Sequence, residues 1–141
     1  MTNINTIANL REKFEMEKVD IRTYSPLTLA YIGDAVFDLV IRSLVVMKGN
    51  TSNNNLHKSV TKYVSAIGQG RILDKITPVL TEEELGIYRR GKNAKPNSKA
   101  KNATLAEYLK ATGFEALIGY LYLKGDEDRM IELIRMGISD E

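Results

Sequence analysis

The sequence predicts an all-α fold, a helical bundle with two central buried helices. Helix-capping motifs recur along the chain, two apolar runs have helical length, and no stretch alternates apolar and polar residues over enough positions to form a sheet strand. With 141 residues and no cysteine, the chain fits one domain whose core needs no disulfide. The lack of cysteine also excludes a thiolate metal site.

Local signals place the first two helices. A short, polar and peripheral helix is predicted over residues 7–16. Ser25 is a good N-cap and Pro26 suits the first helical position, so a long helix is predicted to begin there. This helix is expected to end near Met47, because Gly49 favours a helix C-terminus.

The third predicted helix contains a weak point. Thr51 or Ser52 caps its start, and it extends to about Lys75. Gly68 and Gly70 lower the helix propensity of its second half. The sequence therefore predicts a kink or a break near these two glycines.

Capping boxes mark two of the remaining helices. Thr81 lies three residues before Glu84, which is the spacing of a capping box. Thr104 and Glu107 repeat the pattern. The last three helices are therefore predicted over about 81–91, 104–124 and 126–136, and the first two of them begin at these capping boxes.

Two helices are apolar on nearly all sides, within residues 27–47 and 114–123. Such helices are usually enclosed by their neighbours, so we expect both at the centre of the bundle. The first contains three charged residues, which argue against a membrane span: Asp34, Asp38 and Arg42. The N-terminus also lacks the pattern of a signal peptide. A cytoplasmic protein with no membrane partner is expected.

Basic residues concentrate in one segment. Six of the 20 basic residues and no acidic residue lie between positions 89 and 101: Arg89, Arg90, Lys92, Lys95, Lys99 and Lys101. The rest of the chain has an excess of acidic residues. This asymmetry is typical of a site for an anionic partner, and a solvated flexible loop over 93–103 is the alternative interpretation.

Each central helix carries an acid within its apolar run, Asp34 in the first and Glu115 in the second. A buried carboxylate is costly unless it is paired or binds a metal. Glycines lie beside both acids, Gly33 in one helix and Gly113 and Gly119 in the other, which indicates that another helix backbone or a hydrated ion approaches closely. Facing carboxylates suit Mg²⁺, whereas salt bridges and simple helix crossings are the structural alternative.

These residues resemble two motifs of the ribonuclease III family. Residues 29–37, LAYIGDAVF, resemble the family signature LEFLGDAVL, and residues 114–119, FEALIG, resemble the second motif, DxxEALIG. The resemblance covers about residues 23–135. The chain is most similar to Mini-ribonuclease III, the short branch without a double-stranded-RNA-binding domain. It shares three further segments with that branch: 56–58, 64–66 and 89–95.

The resemblance implies a homodimeric endoribonuclease that cuts double-stranded RNA. The implied catalytic domain spans residues 21–141, after an N-terminal extension over 1–20. Asp34 and Glu115 carry over as catalytic acids and as ligands of Mg²⁺, for which Mn²⁺ substitutes. The products would carry 5′-phosphate and 3′-hydroxyl ends. The implied substrate is the precursor of 23S ribosomal RNA, cut at its ends, and a ribosomal protein is a further candidate partner.

Other acids of the longer enzymes do not carry over. Those enzymes have acids at four positions where this chain has none: Leu27, Ala30, Asn53 and Thr112. The short branch shares these losses. Whether one or two cations act is therefore open.

RNA contacts are expected from the basic segment and from one helix start. The predicted RNA-binding residues are Arg89, Arg90, Lys92, Lys95, His57 and Lys58. For His57 a surface or capping role is the alternative. Asp38 is expected to pair with Arg42 four residues later, and an outer role in orienting water near the cation is the alternative.

Two other classes of function fit part of the sequence. A non-catalytic RNA-binding or ribosome-binding helical domain would need no Mg²⁺ and would tolerate Asp34→Asn. A helical interaction module without an RNA role would have no affinity for a duplex even at low salt. Incubating the protein with labelled duplex RNA, with and without Mg²⁺, separates the three.

Overall fold

Helices form the regular structure of the protein. The computed structural model describes residues 5–94 and 103–139, and no strand occurs among them. The helices are α1 Thr6–Lys13, α2 Pro26–Met47, α3 Asn53–Val64, α4 Ala66–Ile76, α5 Glu82–Asn93, α6 Leu105–Lys124 and α7 Glu127–Ile138, with single 3₁₀ turns at Ile21–Thr23 and Thr77–Val79. The all-α prediction is confirmed. No helix in this part of the chain is long and apolar enough to cross a membrane.

The capping signals begin the helices where the sequence predicts. The Ser25 side chain accepts a hydrogen bond from the Thr28 backbone N–H, 3.2 Å away, at the start of α2. Both capping boxes are formed, that of Thr81 at α5 and that of Thr104 at α6. These contacts join residues three positions apart, so they form whatever packs around the helix. Only α1 is shorter than predicted, ending at Lys13.

The predicted break in the third helix lies a few residues before the glycines. Ser65 separates α3 from α4, and its side chain accepts the backbone N–H of Gly68 at 3.1 Å. A side chain at Gly68 would collide with the end of α3, since its Cβ would lie 2.8 Å from the Tyr63 carbonyl oxygen. Gly68 therefore permits the sharp turn, while Ser65 is where the helix stops.

The two central helices differ in how completely they are buried. Helix α6 contacts α2, α4, α5 and α7, and most of residues 111–121 are buried. Helix α2 buries one face, which includes Phe37, whose ring packs edge-to-face on Phe114 at 5.1 Å between centroids. Its other face is exposed, with Tyr31 at 82% and Leu39 at 65%. The expectation of enclosure on all sides is therefore confirmed for α6 and wrong for α2, which is buried on one face only.

Helices α2 and α6 touch backbone to backbone at two glycines. A Cβ atom at Gly33 of α2 would overlap the Glu115 carbonyl oxygen and lie 2.7 Å from the Gly119 nitrogen. A Cβ atom at Gly119 of α6 would overlap the Leu29 carbonyl oxygen. Each glycine therefore makes room for the backbone of the opposite helix. Of the two alternatives that the sequence offers at these glycines, a helix backbone or a hydrated ion, the structure shows the helix backbone.

Helix α5 is attached to the bundle at both ends. At its start, the buried Glu84 carboxylate accepts two hydrogen bonds from the Arg129 guanidinium of α7, at 2.8 and 2.9 Å. Near its end, Gly91 packs on α6, where an added Cβ would lie 2.7 Å from that of Ala116. The start of the basic segment therefore has a defined place beside α6.

The glycine contact makes a testable prediction for stability. Gly33→Ala should lower the free energy of unfolding by about 3 kcal/mol, the upper part of the range for overpacking, because the new methyl group must separate two backbones. Chemical denaturation measures the change.

Gly86→Ala is the matched control. Gly86 lies within α5, and a Cβ atom there meets nothing within 4 Å. This variant should be as stable as the wild type or more stable by up to about 1 kcal/mol, the difference in helix propensity. Equal effects of the two substitutions would contradict the backbone contact.

A candidate two-carboxylate site

Asp34 and Glu115 meet where α2 crosses α6. Asp34 directly follows Gly33, and Glu115 is the residue whose carbonyl oxygen faces that glycine. The two carboxyl groups lie within hydrogen-bonding reach of each other. They share an open cleft of about 450 Å³. Its other lining residues are Leu27, Ala30, Tyr31, Ile32, Ala35, Tyr108 and Thr112.

The two acids experience different surroundings. Asp34 is exposed, whereas Glu115 is half-buried. Burial, followed by the hydrogen bond and the negative charge of Asp34, raises the pKa of Glu115 to about 8. A Glu115 carboxyl that keeps its proton near neutral pH can share it with Asp34. A cation that replaces this proton would gain two oxygen ligands.

Gln69 is the one other polar side chain with a hydrogen bond to either acid in the part of the chain that the structure describes. Its Nε2 donates to Glu115 Oε2 at 3.2 Å and to the Val64 carbonyl oxygen at 3.1 Å. This bond favours the charged form of Glu115 and opposes the rise in its pKa. The side chain is 2% exposed, and its Oε1 has no hydrogen-bond partner.

The donor set suits a hydrated divalent cation. Mg²⁺ is commonly held by one or two carboxylates and keeps several water molecules, and the open cleft leaves room for them. Within residues 5–94 and 103–139, no group of three or more His, Cys, Asp or Glu side chains could hold a metal ion. Two carboxylates are therefore what this cleft offers.

Three of the four positions that lack acids in this chain explain why the cleft contains only two carboxylates among the described residues. Leu27, Ala30 and Thr112 line the same cleft as the two acids, so acids at these positions in the longer enzymes would face it. The Thr112 hydroxyl instead donates to the Tyr108 carbonyl oxygen at 3.0 Å. Asn53 lies in a different cavity.

The remaining predicted site residues lie outside the cleft. Asp38 forms an ion pair with Arg42, with 2.9 Å between Asp38 Oδ2 and Arg42 Nε, which confirms the predicted salt bridge. Its outer role near a cation stays a prediction. His57 and Lys58 are exposed on α3, and His57 lines the cavity that also contains Asn53.

The described part of the basic segment is exposed on α5. Arg89, Arg90 and Lys92 are exposed in the second half of the helix, whereas Lys95 lies outside the described residues, as do Lys99 and Lys101. Gly91, between these side chains, contacts Ala116, the neighbour of Glu115 in the chain. The basic segment thus begins against the turn of α6 that carries an acid of the site.

Gln69 and Tyr108 are not among the site residues predicted from the sequence. Gln69 has a recognisable signal, because it is a polar residue between two glycines, Gly68 and Gly70. The two glycines by themselves indicate only a break in the helix. Tyr108 has no such signal, and its place at the cleft depends on how α6 lies against α2.

Comparisons with known proteins show what the chain is similar to. Residues 27–126 match the family model described as Ribonuclease III domain. A Mini-ribonuclease 3 from Clostridium tetani is 42% identical over 126 residues, 89% of this chain and 83% of that protein. One from Brevibacillus brevis is 46% identical over 115 residues, 82% of this chain and 86% of that protein. The crystal structure of protein FN1578 from Fusobacterium nucleatum is similar with a TM-score of 0.78 and 38% identity, covering 85% of this chain and 98% of that chain.

The raised pKa of Glu115 makes a prediction for stability against pH. The folded protein without metal keeps a proton that the unfolded chain releases near the ordinary pKa of 4.5. Its free energy of unfolding should therefore fall as the pH rises from about 4.5 to about 8 and then level off. Denaturant unfolding in EDTA across this range measures the slope.

Two variants identify the source of the slope. Glu115→Gln should remove this contribution and be more stable than the wild type above pH 8, by at least about 1 kcal/mol, the equivalent of one pKa unit. Asp34→Asn should reduce the contribution without removing it, since burial is the larger cause. A wild-type slope in Glu115→Gln would show that another group titrates.

Proposed function

The chain belongs to the Mini-ribonuclease 3 family of ribonuclease III-type endoribonucleases, and from this premise we propose that it cleaves double-stranded RNA with a divalent cation held by Asp34 and Glu115. One observation carries the proposal. The two acids, 81 positions apart in the printed sequence, share one open cleft in which their carboxyl groups reach each other. The cation is Mg²⁺, with Mn²⁺ as a substitute.

The two acids differ in burial, and this difference suits them to different roles. Asp34 is exposed and so accessible to a phosphodiester, whereas half-buried Glu115 accepts a hydrogen bond from buried Gln69. The proton on Glu115 has to leave before both carboxyl groups can act as ligands, so cation binding and proton release are linked. When bound, the cation stabilises negative charge on the phosphate and lowers the pKa of a water molecule.

The finer features follow from the family resemblance. The proposed products carry 5′-phosphate and 3′-hydroxyl ends, and the proposed substrate is the 23S ribosomal RNA precursor in the cytoplasm. Residues 21–141 form the proposed catalytic domain. A homodimer is supported by the exposed apolar face of α2, where Tyr31 lines the cleft beside Asp34 and Leu39 is also exposed.

RNA contacts are proposed for two exposed basic surfaces. The first is the basic segment, represented in the structure by Arg89, Arg90 and Lys92, and the second is formed by His57 and Lys58 on α3. Duplex RNA is contacted mainly through phosphates and 2′-hydroxyl groups, for which exposed cationic side chains are suited. The position of Gly91 against α6 supports the first surface more directly.

Asp34→Asn tests the proposed function. The substitution keeps the size of the side chain but removes its charge, so Mg²⁺-dependent cleavage of labelled duplex RNA should fall by at least about 100-fold. RNA binding, measured in EDTA, should be kept. Asp128→Asn, which removes an exposed acid from the first turn of α7, is the control and should cleave normally.

The outcomes separate the candidate functions. Normal cleavage by Asp34→Asn would contradict the proposed site. Duplex binding by the wild type with no cleavage at any Mg²⁺ concentration would favour the non-catalytic RNA-binding alternative.

The basic segment makes a separate prediction for RNA binding. Lys92→Ala combined with Lys95→Ala should weaken duplex binding and flatten its dependence on salt, by up to about 0.9 in the logarithmic slope for each lost phosphate contact. Titrations at several salt concentrations measure the slope. Lys13→Ala with Lys18→Ala is the control, since both residues are exposed near the N-terminus. A wild-type slope in the Lys92 and Lys95 variant would remove the proposed contacts.

A further inference from the structure

Gln69 occupies an unusual position for an uncharged polar side chain. It lies in the first turn of α4 and is 2% exposed, among residues that are mostly apolar. Its amide group reaches two other elements, the end of α3 through the Val64 carbonyl oxygen and the middle of α6 through the Glu115 carboxyl group. It therefore connects one acid of the site to the rigid interior.

The chemistry of the two partners sets the orientation of this amide. A backbone carbonyl oxygen can only accept, so the nitrogen of Gln69 and not its oxygen faces Val64. The other N–H of the same nitrogen then points to Glu115 Oε2, which must accept as well. Both protons of the amide are used, and Glu115 Oε2 is engaged from the interior.

Packing alone does not account for this side chain. Gln69 Oε1 is buried without a hydrogen-bond partner among the described residues, and such an acceptor costs free energy of folding. An apolar side chain of similar shape would avoid that cost. What Gln69 provides and an apolar residue cannot is the N–H bond to the carboxyl group of the site.

We propose that Gln69 is a positioning residue, which holds Glu115 Oε2 with a buried N–H and so presents Oε1 of the same carboxyl group to Asp34 and to the divalent cation. The inference rests on the proposed function. Gln69 is buried and does not line the cleft, so in this role it would act through Glu115 and not on the RNA or the cation itself. Its effect is to restrict the rotation of the Glu115 carboxyl group, so that less freedom is lost when the cation binds.

Gln69→Met tests the inference, because methionine has a similar length and volume but no N–H donor. Mn²⁺ binding, followed by the EPR signal of the free ion, should weaken about 10-fold. The Mg²⁺ concentration that gives half-maximal cleavage should rise by the same factor. Saturating Mg²⁺ should restore most of kcat, and the KM for duplex RNA should stay near the wild-type value.

Ser65→Ala is the matched control. It removes the cap of α4, three residues before Gly68, and leaves the Glu115 carboxyl group and its donor in place. Its Tm should fall while its Mn²⁺ affinity stays at the wild-type value. If Gln69→Met does not fold, Gln69→Asn takes its place, because the shorter amide stays polar but cannot reach both acceptors.

The outcomes distinguish this inference from the proposed function. Wild-type Mn²⁺ affinity in a folded Gln69 variant would overturn the positioning role alone. An equal loss of affinity in Ser65→Ala would also overturn it, since the effect would then come from the start of α4. The proposed function requires that the wild type binds Mn²⁺ and that Asp34→Asn abolishes this binding. If either result is absent, the proposed function fails, and the positioning role fails with it.

Discussion

The backbone contact between α2 and α6 sets the separation of the two acids. Gly33 receives the carbonyl oxygen of Glu115, and Gly119 receives that of Leu29, so the helices approach as closely as their main chains allow. Asp34 follows the first of these glycines directly. Because neither helix can move inward and any side chain at the glycines would move them apart, the carboxyl groups are kept in reach of each other. The site thus depends on the absence of two methyl groups.

Holding these acids together has an energetic cost that the rest of the bundle offsets. Burial and the charge of Asp34 raise the pKa of Glu115 to about 8, so the charged form is disfavoured in the folded protein without metal. The same turns of α6 contain fully buried side chains, including Phe114, Leu117 and Ile118, whose burial stabilises the fold. In the proposed function, a cation between the carboxyl groups removes the repulsion, so that ligand binding and stability are linked.

The charges of the protein are arranged around this crossing. The acids lie at the contact of α2 with α6, while the basic segment begins at the end of α5, where Gly91 packs on Ala116 of α6. The ion pair of Glu84 with Arg129 holds the opposite end of α5 on α7. In the proposed function, the described start of the basic segment, residues 89–92, is therefore held near the site by helix packing.

The sequence by itself determined where most helices begin, because capping depends on contacts within a few residues, and it marked Asp34 and Glu115 as acids inside apolar helical runs. Ser25, Thr81 and Thr104 cap their helices through groups three positions away, and a helix with caps begins at the same place in any surroundings. Only the tertiary structure decided that one face of α2 is exposed and that Gln69 donates a hydrogen bond to Glu115. These features depend on which elements pack together, and residues 46 positions apart leave no periodic pattern that would reveal the contact.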